Sequence, residues 1–230
     1  MKRAVLALPL GLLALVAACS GPAQDESAEA STPLDQQELE DFLAEARRAR
    51  DHLDEKIATV EREYASAENE AAGAWAEASR EIANARQDLE AGLTRMRDTT
   101  RLDPDQIRGE IVGQIETLTE RVERASLMAA DDGQEFMTTA RRRLSEIQDE
   151  LRSLRSEATE LPNEARAEIA ASLDELQSEA NELMQEIASL AAESPEEIED
   201  ERDDLSASIA ALSASVRREW LEMRGSSGAN

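Results

Sequence analysis

The sequence predicts an all-α protein, an elongated helical bundle of long, coiled-coil-like helices that follows a leader and a flexible tether. Three observations carry that expectation. Alanine (40), glutamate (35), leucine (26), arginine (23) and lysine (2) make up more than half of the 230 residues. With helical spacing of the apolar positions, that level signals long helices. From Leu39 onward the apolar residues do recur at steps of three and four, as one face of a helix requires. Compact cores usually draw on large aromatic side chains, and here there are only Phe42, Tyr64, Trp75, Phe136 and Trp220.

The chain opens MKRAVLALPLGLLALVAAC. Two cations, Lys2 and Arg3, precede an apolar run from Ala4 to Ala18, which ends in small residues before Cys19. This is the order of a secretory signal. The run is shorter than the roughly 20 residues that a helix needs to cross a bilayer, and Pro9 and Gly11 weaken its interior.

Val16-Ala17-Ala18-Cys19 resembles the lipobox of bacterial lipoproteins, with Val16 where leucine is commonest. The resemblance is confined to residues 1–19. It implies a signal peptide over 1–18, cleavage before Cys19, a diacylglyceryl group on the Cys19 thiol and acylation of the new amino terminus. Ser20 rather than an aspartate follows, which in that family implies an outer-membrane anchor facing the periplasm, or the cell surface. An ordinary signal peptide with an incidental Cys19 is the alternative, but it leaves the only cysteine of the chain without a role. Two or more acyl chains anchor a protein stably where one does not.

Residues 19–33 read as the lipidated cysteine and an acidic linker. SGPAQDESAEASTP has no apolar periodicity and gives a flexible reach of roughly 20 Å. Residues 34–224 form the helical domain and 225–230 a tail. Thr32-Pro33-Leu34-Asp35 reads as a helix start. From Leu39 to Met96 the apolar stripe runs without interruption, which predicts one helix of about 60 residues and roughly 90 Å. Within it, YASAENEAAGAWAEA (64–78) has alanine at most inward positions. It reads as thin core, because alanine buries little area, with a tight contact or hinge as the alternative.

Breaks are expected near 99–104, 131–133, 161–163 and 192–195. Asp103-Pro104-Asp105-Gln106 and Ser194-Pro195-Glu196-Glu197 place a capping side chain before a proline, with Gln or Glu three residues later. Gly133 suits a left-handed residue that ends a helix. Pro162 suits either a kink or a start.

The charge excludes one class of partner. Without residues 1–18, 23 basic and 51 acidic residues remain, for a net charge of −28. Such a field repels nucleic acid. Between Ser156 and Glu201 there are 15 acids and one base, Arg166. Glu160, Glu164 and Glu168 stack at four-residue spacing, as do Glu175 with Glu179, Glu182 with Glu186, and Glu197 with Glu201. Like charges so placed destabilise a helix slightly, so this face is either solvated or an acidic docking surface. Arg141, Arg142, Arg143, Arg152 and Arg155 are the cations expected to meet part of it.

Catalytic chemistry finds no foothold. His52 is the only histidine, and GxSxG, HExxH and CxxC motifs are missing. No metal, cofactor or small-molecule substrate is implied. Two functions remain. One is a membrane-anchored lipoprotein with a structural or interaction role, meeting a protein partner or a second copy. The other is a carrier or chaperone whose amphipathic helices cover lipid or hydrophobic clients. The proline-punctuated helices are similar to apolipoproteins, but they lack an 11- or 22-residue repeat and basic residues along the apolar boundary.

Metabolic labelling with a fatty-acid analogue should mark the wild-type chain and miss Cys19→Ser. An unlabelled wild type would remove the lipobox reading.

Overall fold

The computed structural model describes residues 36–66, 69–98 and 104–226. They belong to one unit, residues 33–230, and all six of its described elements are helices: α1 (Gln36–Ser66), α2 (Asn69–Asp98), α3 (Pro104–Met128), α4 (Gly133–Ala158), α5 (Asn163–Leu190) and α6 (Pro195–Ser226). The protein is an all-α helical bundle. At 1.5 Å per residue the helices run from roughly 38 to 48 Å.

Side-chain pairs fix the directions. Asp54 with Arg86 and Arg50 with Glu90 set α1 against α2 in antiparallel register. Arg95 with Glu110, and Arg121 donating to the Glu81 carbonyl, do the same for α2 and α3. Arg155–Asp174 and Gln148–Asn181 join α4 to α5. The two halves meet along α3 and α6, which run antiparallel through Arg218–Glu116 and Arg202–Met128.

The stripes named from the sequence are the core. Leu53, Val60, Ile82, Leu89, Ile111, Ile115, Leu118 and Val122 pack together in the first half. Phe136, Leu144, Ile147, Leu151, Leu173, Ile187, Ile209 and Leu212 do so in the second. Each half borrows one side chain from the other's helix, Leu127 of α3 and Leu221 of α6, and Trp220 packs against both clusters.

One expectation is overturned. The stripe from Leu39 to Met96 is not one helix but a hairpin, with α1 ending at Ser66 and α2 beginning at Asn69. Alanine explains the break. A continuous helix would offer only methyl groups at its middle, whereas folding back lets Tyr64 and Trp75 stack, centroids 4.9 Å apart and 22° between planes. Such a pair contributes about 0.5–1.5 kcal/mol beyond its buried area. The Tyr64 hydroxyl then donates to the Ala125 carbonyl at 3.0 Å, tying the hairpin to α3.

Gly133 also departs from expectation. No described residue has a positive φ, and Gly133 opens α4 rather than closing α3. Asp132 caps the new helix, its Oδ1 accepting from the Gln134 and Glu135 amides at 2.9 and 2.8 Å. Glycine is required there for closeness: a Cβ would stand 2.8 Å from Ile198 Cγ2 at the start of α6. The end of α3 is closed from a distance, by Arg202 of α6, whose Nη2 donates to the carbonyls of Met128 and Ala130 at 3.0 and 2.5 Å.

Pro162 stands before α5 with φ −55° and ψ 150°, so the chain turns there and a kinked continuous helix is excluded. The expected start at 32–35 and the capping Asp103 lie outside the described residues. At α6 the capping box forms as its sequence predicts: the Glu197 amide donates to Ser194 Oγ at 3.3 Å, and Glu197 Oε2 accepts from the Ser194 amide at 2.9 Å. Ser194→Ala should therefore lower the unfolding free energy by about 1 kcal/mol, measured by urea titration with an unchanged slope.

Candidate functional site

Cys19, Val16, Ala17 and Ala18 lie outside the described residues. The acidic residues lie on α5 and about its ends. Glu168, Glu175, Glu179, Glu182 and Glu186 are exposed along α5, and steps of seven, four, three and four residues keep them on one side of it. Glu160 is exposed in the preceding turn, and Glu197 and Glu201 are exposed in the first turns of α6. Glu164 falls in the first turn of α5, its side chain outside those described.

These carboxylates are not equivalent. Glu197 is held below its ordinary pKa, first by the Ser194 amide and then by the Ser194 hydroxyl. Glu179 goes the other way, raised by partial burial and by the neighbouring Glu182 charge. Of the cations expected to meet this face, Arg155 does, donating to Asp174 Oδ1 at 2.7 Å. Arg142 pairs with Glu146 and Arg152 with Asp149, both within α4. Arg143 turns inward.

Its partner is Glu123 of α3. Arg143 Nη2 and Nε donate to the two Glu123 oxygens at 2.7 and 2.9 Å, a bidentate pair whose members are 6% and 3% exposed. Arg143 Nη2 also donates to Ser213 Oγ of α6 at 2.6 Å, and Ser213 Oγ lies 3.3 Å from Glu123 Oε1. Lys56 Nζ of α1 donates to the same Glu123 oxygen, and Glu146 and Glu150 take the outer edge of Arg143. Burial works hardest on Glu123 and favours its neutral form. The charges of Arg143 and Lys56, with their hydrogen bonds, overcome it and leave the pKa below the ordinary carboxylate value.

Sequence reasoning missed this cluster, although a signal existed. Beside its main stripe, α3 buries Val112, Thr119 and Glu123, a second line at steps of seven and four. A helix with two buried lines sits at a centre with neighbours on both sides. On α6 the matching line is Ser206, Ala210 and Ser213, all buried and small, which lets α3 approach closely.

His52 is exposed on α1. Among the described residues no group of His, Cys, Asp and Glu could hold a metal ion, and no helix is long and apolar enough to cross a membrane.

Residues 105–191 match a family model described as the vesicle transport v-SNARE protein N-terminus. The matched stretch is less than half of the chain and covers α3 from its second residue, α4 and α5. No curated protein and no solved structure matches.

The buried pair makes a prediction with a definite sign. Removing one partner strands the other charge, so Glu123→Ala should lower the unfolding free energy by about 3–5 kcal/mol, while replacing both by apolar residues of similar volume should cost far less. Because its folded pKa is depressed, Glu123 contributes stability that is complete above the ordinary carboxylate range and is lost as pH falls through the folded value. Glu63, Glu179 and Glu219 are raised, chiefly by burial, so protonating them relieves the fold at a higher pH. Thermal melts should therefore show a shallow gain in stability just above the ordinary carboxylate range and a loss below it. Glu123→Gln should flatten the loss and keep the gain.

Proposed function

We propose that this chain is a lipid-anchored interaction protein of the bacterial envelope. Cys19 carries the lipid, residues 20–33 form the tether, and the helical bundle meets a protein partner through its surface. It acts by contact and not by catalysis.

One observation carries the choice over a lipid carrier. The apolar stripes of all six helices face one another, and the bundle closes over a buried bidentate ion pair. A carrier must expose such stripes to its client. Opening this bundle would break the Arg143–Glu123 contacts and return to water the apolar side chains packed around them. The outward surface is the opposite of a lipid-binding face, with the α5 glutamates exposed. The likeness to the v-SNARE N-terminus, over α3 to α5, supports a part for helical surfaces that meet other proteins. The lipid anchor rests on the lipobox alone.

Flotation with neutral vesicles at physiological salt, where the Debye length is about 8 Å, separates the two readings. Full-length Cys19→Ser should stay at the bottom of the gradient and unfold in one sharp thermal transition. Flotation, or a gain of helix on adding vesicles, would favour the carrier.

A further inference from the structure

A groove of about 300 Å³ runs between α1 and α4 over α6. Leu154, Val216 and Trp220 supply its apolar surface, and His52, Arg217, Glu150 and Glu157 its charges. A volume of this size suits a small ligand, and an apolar lining with a few convergent polar groups is the usual form of a small-molecule site.

The charges are not balanced within it. Glu157 is taken by Arg224, whose Nη2 donates to it at 2.7 Å, and Glu150 by Arg143 at 3.3 Å. Arg217 has no hydrogen-bonded or ion-paired partner among the described residues. Its guanidinium lies 5.7 Å from the centroid of the Trp220 ring and is half-buried. Arg217 is thus the ionised side chain of the groove that no opposite charge holds.

The only histidine stands beside it. Partial burial, then the charges of Arg217 and Lys56, lower the His52 pKa, against the opposing pull of Glu150 and Glu55. At neutral pH the imidazole is therefore mostly neutral. The groove then offers one uncompensated positive charge, suited to a monoanion. A phosphate dianion would bring an excess charge up to Glu150 and Glu157. The planar fork of arginine matches a carboxylate with two parallel hydrogen bonds.

We propose that this groove binds a small monocarboxylate with an apolar body, its charged end on Arg217 and its body against Trp220, Leu154 and Val216. The ligand adds a negative charge beside His52, so binding and protonation of the imidazole are linked: each favours the other.

The chain is well suited to the test, because His52 is the only histidine and Trp75→Phe leaves Trp220 as the only tryptophan. Benzoate should shift the His52 imidazole resonances of the full chain, move their titration midpoint to higher pH and change the fluorescence of Trp220. Benzyl alcohol, which keeps the ring and lacks the charge, should bind roughly tenfold more weakly or worse. Arg217→Gln should weaken benzoate to a similar extent with an unchanged thermal transition, and Arg217→Lys should retain part of the affinity. A peptide ending in phenylalanine with a free carboxylate, compared with its amide, tells whether chain ends enter as free acids do; binding of either acid upholds the site. The proposal fails if tens of millimolar benzoate and the peptide leave both signals unmoved. It also fails if Arg217→Gln or benzyl alcohol matches the wild-type benzoate affinity.

Discussion

The fold turns on one buried ion pair. Glu123 and Arg143 join α3 to α4, Ser213 adds α6 and Lys56 adds α1, so four of the six helices share a single polar node. Apolar stripes alone are tolerant partners, since helices can slide by a turn and still bury area. A bidentate guanidinium–carboxylate contact is not tolerant. It forms at one register, and at every other register two desolvated charges are left unmatched. The bundle thereby gains a fixed alignment from an interaction whose net contribution to stability is small.

Much of the helical pattern could be read from the residues. The stripes around Leu144, Ile147 and Leu151, or Leu173, Ala180 and Ile187, face the core as their spacing implies. Ser194 and Pro195 open α6 as their chemistry implies. What could not be read is what depends on distance across the bundle. The Leu39–Met96 stripe has the same period folded back as extended, and only the stacking of Tyr64 on Trp75 and the cross-hairpin pairs decide for the hairpin. Gly133 looked like a helix end because glycine often serves there, yet its role is to admit Ile198 from a helix more than sixty residues away.

The charge pattern was legible in a similar, partial way. The exposed glutamates along α5 lie where the four-residue spacing puts them. Their partners were not legible, because a run of arginines does not say which one turns inward. Arg141, Arg142 and Arg143 are adjacent, and a helix sends adjacent residues in directions about 100° apart. Only Arg143 falls in line with the buried Ala140, Leu144 and Ile147, so it alone meets the interior. The same rotation leaves Arg142 to a local carboxylate on its own helix.

Arg202 reaches back from the last helix to the end of α3, where it takes the Met128 and Ala130 carbonyls and lies 5.5 Å from the centroid of the Phe136 ring. In a chain made from its amino end, α3 and α4 emerge well before that arginine exists. Until α6 follows, the α3 terminus stays open and Glu123 lacks the Ser213 hydroxyl. Closure of the α3 end therefore belongs to the final stretch of synthesis.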